Sequence, residues 1–196
     1  MANNAFCIKK RLSNHKIKRL KIYKNEAAVL IPIVSNNEDL FIIFTKRSED
    51  LPSHGGEISF PGGMYEPIDK NLGDTALRET FEEIGLRKND IEIIGRMDDQ
   101  NSFHNHKVSP YIGMVSKQIN DLKFTIAKTE VTELLFVPFK HFYIKDIQWT
   151  EKWMRNNVLK KMYFYRYKEY IIWGLTAEIV YKLTKIVSGC FGETIC

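Results

Sequence analysis

A chain of 196 residues with 44% hydrophobic and 12% aromatic content can bury one sizeable core, which excludes a disordered protein and a domain that depends on staples. Its net charge of +5 at pH 7 favours anionic partners, either phosphorylated small molecules or nucleic acid. No stretch approaches the ~18 apolar residues of a membrane span, so no membrane partner is expected.

Residues 1–26 are basic, with Lys9, Lys10, Arg11, Lys16, Lys18 and Arg19, and they lack the apolar run of a secretory signal. They could form a helix, a dimerisation arm or a tail, which leaves a homodimer open. A cytoplasmic location is expected, with an organelle interior as the alternative. Cys7, Cys190 and Cys196 lie at the two ends without CxxC spacing and read as reduced thiols.

NEAAVLIPIV and NNEDLFIIFTKRS predict two strands joined at an Asn-Asn-Glu-Asp turn. HGGEISFPGG predicts a short third strand that breaks at Pro61-Gly62-Gly63. DTALRETFEEIGL predicts a helix capped by Asp74 or Thr75, with Leu77, Phe81 and Ile84 as its buried stripe and Gly85 as its stop. Strands are expected over 91–97, 108–116 and 131–138, separated by the polar loops DDQNSFHNHK and KQINDLKFTIAKT. MYFYRYKEYIIWGL predicts a hairpin with one buried face rather than a nucleic-acid platform. LTAEIVYKLTKIVSG predicts a closing helix with Leu175, Ile179, Leu183 and Val187 on one side. This order argues an α+β domain with helices packed on a sheet.

The first helix crowds Glu79, Glu82 and Glu83 together, where like charges cost a bare helix roughly 0.2–0.5 kcal/mol per pair. Spaced three and four apart, they share one helix face. A solvated surface would explain the glutamates alone, but not the local set. Gly62 and Gly63 stand just upstream, where a backbone carbonyl can reach a hard cation. Arg78, four residues before Glu82, can pin that carboxylate and leave the others for metal. Such oxygen donors suit Mg2+ or Mn2+ over zinc.

Gly63, Arg78, Glu79, Glu82, Glu83, Gly85 and Leu86 match in type and order the box of the Nudix hydrolase family, which this chain resembles. That box runs Gly, five residues, Glu, seven residues, then Arg-Glu-apolar-any-Glu-Glu-any-Gly-apolar. Here the spacer before Arg78 is one residue longer, and the isolated Glu position falls nearest to Asp69, with Glu66 as the other candidate. Thr80 takes a place that is usually apolar. The resemblance implies a mixed β-sheet sandwiched between α-helices over residues 27–187, followed by a tail at 188–196.

Upstream, Thr45, Arg47, Ser48, Gly56, Phe60, Pro61, Gly62 and Gly63 fall in register with the coenzyme A diphosphatase branch. That branch has an Arg where this chain has Pro52, so a planar phosphate-binding fork is missing; Lys46 or His54 could replace it. The resemblance implies hydrolysis of the pyrophosphate of coenzyme A to 3′,5′-ADP and 4′-phosphopantetheine, with Mg2+ or Mn2+ held by Glu79, Glu83 and Glu82 and the Gly63 carbonyl. Arg78, Glu79, Glu82 and Glu83 would form the catalytic set, with the base unassigned. Lys46, Arg47, Ser48, Phe60, Gly62 and Gly63 would meet the substrate, with Lys107 as a further phosphate partner. Glu130 and Glu133 are candidates for a late carboxylate, His104 and His106 read as loop histidines, and Trp173 reads as core. Another nucleoside diphosphate derivative, such as ADP-ribose or NADH, is the alternative substrate; a non-catalytic nucleotide-binding module is the second alternative. No specific nucleic acid is expected.

Overall fold

The computed structural model describes residues 2–21, 25–51, 53–102, 105–155 and 158–191. Pro52, His104 and Cys196 lie outside this set. The chain runs α1 (Ala2–Asn14), β1 (Glu26–Asn36), β2 (Asp39–Arg47), β3 (Ile58–Ser59), β4 (Gly62–Met64) and α2 (Leu72–Ile84). It continues with β5 (Ile91–Arg96), β6 (Gln100–Asn101), β7 (Lys107–Gln118) and β8 (Val131–Pro138). The last elements are β9 (Gln148–Arg155), β10 (Val158–Tyr167), β11 (Tyr170–Trp173) and α3 (Gly174–Ile186).

The apolar run of β1 is continuous because both faces of that strand are covered: Leu30, Ile31, Ile33 and Val34 are all fully buried. β1 pairs parallel with β7 and antiparallel with β2 and β4, so the sheet is mixed. The β1–β2 hairpin closes from Asn36 to Asp39, with Asn37 in the left-handed region at φ 52°. α2 covers one face, where Ala76, Leu77 and Ile84 meet residues such as Leu30, Val34 and Ile43. α1 and α3 cover the other: Ile8, Leu12, Ile179 and Leu183 join Ile33, Ile42 and Phe44 in one cluster. The expected sandwich of helices around a mixed sheet is therefore the fold. A second, three-stranded antiparallel sheet, β11-β10-β9, packs on the α3 side through Tyr165 and Ile172. Among the described residues, no helix is long and apolar enough to cross a membrane.

Several local expectations need correction. α2 starts earlier than read, at an Asn71 cap whose side chain accepts from the Gly73 and Asp74 N–H groups at 2.8 and 3.2 Å. Asp74 instead pairs with Lys88, and Thr75 is buried. Phe81 is 52% exposed, because the buried face is centred near Thr80, about 100° away around the helix. Thr80 fits that interior by donating its hydroxyl to the Ala76 carbonyl at 2.6 Å. Gly62 and Gly63 do not merely break a strand; they form β4 and pair with Val29 and Ala28. β9 is not among the expected strands, although QWTEKWMR alternates and an Asn-Asn follows it in sequence. The hairpin of β10 and β11 and the stop at Gly85, with φ 73°, are as expected.

The largest correction concerns the thiols. Cys7 and Cys190 form a disulfide across a sequence separation of 183, with Cα atoms 5.5 Å apart. The pairing follows from tertiary packing, since α1 and the end of α3 share one apolar cluster. The case for a reducing compartment built on these cysteines therefore falls. Closing so long a loop restricts the unfolded chain, on the order of 2–4 kcal/mol. Dithiothreitol should accordingly lower the melting temperature of the wild-type protein and have no further effect on Cys7→Ser. Equal melting with and without reductant would count against the bond.

Candidate active site

Four separate chain segments meet at the N-terminal edge of the α2 side of the sheet: the end of β2, the glycines of β4, α2 itself, and the loop before β8. The Arg78 guanidinium organises the helix side. Its Nε and Nη2 donate to the two oxygens of Asp69 at 2.9 and 3.0 Å, a bidentate pair. Its Nη1 donates to Glu79 and Glu82 at 2.9 and 3.0 Å, and Nη2 also reaches the Met64 carbonyl at 3.1 Å. Arg78 thus pins Glu79 as well as Glu82, where the sequence suggested only Glu82. Asp69, not Glu66, is the built-in carboxylate partner, for Glu66 is exposed and 4.0 Å away. Asp69 also accepts from the Glu66 N–H and the Thr75 hydroxyl. Arg78 and these donors hold its carboxyl well down, at about 2, while Asp69 and Glu79 raise the affinity of Arg78 for its proton.

Glu79 and Glu83, one turn apart, share the flank of α2 that faces β4. The carboxyl of Glu79 occupies the space above Gly63: a Cβ built on Gly63 would lie 2.4 Å from a Glu79 oxygen. Gly62 is as tightly placed, with a built Cβ 2.3 Å from the Ala28 carbonyl. The backbone of Gly62 lies beside Glu83, which is only 3% exposed, and favours its charged form. Burial, and then Glu79 and Glu130, push the Glu83 carboxyl up to about 8, against the opposing pull of Arg47. Burial likewise raises Glu79, Arg78 counters it, and Glu82 and Glu130 add to the rise. Like charges are therefore packed where water cannot screen them.

Glu130 reaches this cluster through backbone wiring. The Thr125 and Ala127 N–H groups donate to the last carbonyls of α2, Ile84 and Glu83, at 3.1 and 2.9 Å. The Ser48 N–H then donates to the Glu130 carbonyl at 2.8 Å, tying the same loop to the end of β2. Of the two candidate late carboxylates, Glu130 is near enough for its charge to raise Glu79 and Glu83, whereas Glu133 accepts the Tyr170 hydroxyl at 2.7 Å. A register shift between Lys46 and Arg47 marks a bulge, the kind of irregularity that re-aims a side chain. The charge of Arg47 acts on the Glu83 carboxyl, and its Nε is buried with no hydrogen-bond partner.

The other predicted site residues are placed differently. Ser48 is buried and its hydroxyl accepts from the Asp50 N–H, a turn-forming role. Phe60 is 4% exposed and stacks on Phe44 with centroids 4.8 Å apart, within the core. Lys107 is paired with Glu26, and Lys46 lies 3.9 Å from Glu49. Among the described residues, no three His, Cys, Asp or Glu side chains already stand in a metal-ligand grouping. Glu79 and Glu82 are both ion-paired with Arg78.

Asp69 ties the site to stability. Its carboxyl titrates lower in the folded chain than its ordinary 3.8, so its stabilisation is complete above that value and is lost as pH falls toward about 2. Asp69→Asn should destabilise the protein at pH 7 by on the order of 2 kcal/mol or more, since it also leaves Arg78 short of a counter-ion. The gap from wild type should narrow between pH 4 and pH 2, as read by urea unfolding. A pH-independent gap would contradict this role.

The chain resembles known proteins in sequence and fold. The NUDIX domain matches residues 24–167. An uncharacterized Nudix hydrolase, NudL, from Photorhabdus laumondii is 32% identical over 87% of this chain and 89% of its own length. Nudix hydrolase 22, chloroplastic, of Arabidopsis thaliana is 37% identical over 83% of this chain and 55% of its own length. In fold, the chain is similar to a MutT/nudix family protein from Enterococcus faecalis, with TM-score 0.53 and 15% identity over 86% of this chain and 64% of that one. A C. elegans Ap4A hydrolase matches with TM-score 0.50 and 15% identity, over 59% of this chain and 81% of that one. With the glutamate-bearing helix, its Arg78 hub and the paired glycines all inside the matched span, this chain belongs to the Nudix domain family.

Proposed function

We propose that the protein hydrolyses the phosphoanhydride bond of a nucleoside-diphosphate-linked compound with a divalent cation as cofactor. The observation that carries this reading is the placement of Glu79 and Glu83 on the α2 flank against Gly62 and Gly63, with Glu130 and Arg47 near enough for their charges to act on the Glu83 carboxyl.

The residues fit a hard cation: every donor is an oxygen, the carboxylates raise one another, and Gly63 leaves room where Glu79 lies. Glu79 and Glu83 would hold the ion, with Glu130, Glu82 and the Gly63 carbonyl as further donors. When bound, Mg2+ or Mn2+ supplies charge neutralisation for the pyrophosphate and activation of a water. The chain itself does the positioning. Arg78 keeps Glu79 over Gly63, and the Gly62 backbone favours the charged form of Glu83. Arg47 offers its guanidinium to a phosphate oxygen, a charge-assisted bond that would satisfy its orphaned nitrogen.

Within this class, coenzyme A is the narrower reading and rests on the motif from Thr45 to Gly63. ADP-ribose or NADH is the better-supported alternative, because Pro52 stands in place of the branch's Arg and the relatives speak only for the Nudix family.

Two measurements test the reading. Glu83→Gln should lower Mg2+-dependent turnover by about a hundredfold or more with an unchanged circular dichroism spectrum, since it removes an ionisable oxygen ligand and keeps the shape. Full activity in that variant would rule out the metal role. A panel of coenzyme A, acyl-coenzyme A, ADP-ribose and NADH, with and without Mg2+, should show metal-dependent cleavage of at least one member. A flat response across the panel would overturn the hydrolase reading.

A further inference from the structure

Lys46 and Arg47 are consecutive on β2, yet they serve opposite faces. Arg47 acts through its charge on Glu83, on the α2 side. Lys46 continues the Phe44 face and lines a cleft of about 780 Å³ between the β2–β3 connection and the three-stranded sheet. That volume lies within the usual range of small-molecule sites, about 300–1,000 Å³. Nothing in the hydrolytic reading uses it.

The floor of the cleft is aromatic. Phe164 and Trp173 lie nearly parallel, at 9° with centroids 6.4 Å apart, and Trp153 leans on Trp173 at 5.6 Å. Trp153 remains 42% exposed although it is a large apolar residue. Its indole N–H donates to Glu151 at 2.7 Å, so the ring is held in one orientation and presents a fixed face. The polar rim has the opposite character to a phosphate site. Glu49, Glu57 and Glu169 line it, against Lys46 as the one cation among the lining residues, and Lys46 already lies near Glu49. Carboxylates accept hydrogen bonds and repel phosphate. A ligand suited to this cleft is therefore planar, uncharged and rich in donors: a nucleobase with its amino group and ribose hydroxyls.

We propose that this cleft is a nucleoside-binding subsite in which the base stacks on Trp153 and the rim carboxylates exclude a further phosphate. The proposal rests on the hydrolytic reading for one point: the pyrophosphate would be held on the Arg47 side and the nucleoside would cross the end of β2 past Lys46. Lys46 and Arg47 are neighbours at the end of β2, so the cleft and the acidic site adjoin the same end of that strand.

The protein supplies its own reporter, since its three tryptophans, Trp149, Trp153 and Trp173, all lie on this small sheet. Adenosine, without phosphate or metal, should quench the intrinsic fluorescence of the full chain saturably, and adenosine 3′-phosphate should bind no more tightly. By calorimetry, Trp153→Ala should weaken adenosine about tenfold, and Trp153→Phe should recover most of that loss because it restores a ring face. For any nucleotide the protein cleaves, Trp153→Ala should act on KM rather than kcat. The subsite is overturned, and hydrolysis left standing, if adenosine does not bind, if its binding ignores Trp153→Ala, or if pantetheine binds there instead. Trp153-dependent adenosine binding in a protein that cleaves no nucleotide would support the subsite and overturn the hydrolysis.

Discussion

The guanidinium of Arg78 is the joint on which the acidic side of the molecule depends. It bridges the loop after β4, through Met64 and Asp69, to the helix, through Glu79 and Glu82. Asp69 is buried and Glu79 largely so, and two carboxylates at that depth would repel each other without a cation between them. One fixed positive group resolves that repulsion and sets the distance between glycines and helix. Because the loop is held, the bare Cα of Gly63 can lie against the Glu79 carboxyl.

What Arg78 does not neutralise is equally informative. Glu83 lies on the buried flank of α2, with Glu79 and Glu130 as like-charged neighbours and Arg47 as its opposing charge. A chain with net charge +5 thus crowds carboxyl groups on the buried flank of α2, where neighbouring carboxyls raise the proton affinity of Glu79 and Glu83. Such an arrangement is costly to the isolated fold, and a bound cation would relieve it. The backbone holds the cluster together in spite of that cost: the loop from Thr125 to Glu130 hydrogen-bonds to α2 at one end and to Ser48 at the other.

Strand β2 separates two chemistries. On the α2 face stand carboxylates and Arg47; on the other, beyond Lys46, stand aromatic rings with an acidic rim. The bulge between Lys46 and Arg47 is where the division falls. The three-stranded sheet is also tied to the main core through Tyr165 and Ile172, so the aromatic wall is braced by the same cluster that holds α1 and α3. The Cys7–Cys190 bond closes that side of the molecule.

Sequence alone determined the helix bearing Glu79, Glu82 and Glu83, its stop at Gly85, the first hairpin, the strand of residues 131–138 and the α+β class. These are local or periodic features: spacing along one helix, a glycine at a left-handed position, apolar runs bounded by turn residues. The family resemblance likewise followed from residues close together in the chain. Tertiary structure alone decided that Asp69 is the partner of Arg78, that Glu130 rather than Glu133 joins the acidic cluster, and that Cys7 meets Cys190. It also decided that Thr80 faces inward while Phe81 faces water, a matter of where the sheet meets the helix. The aromatic cleft was invisible for the same reason. Trp153, Phe164 and Trp173 lie on three different strands, and only the pairing of those strands sets their rings side by side.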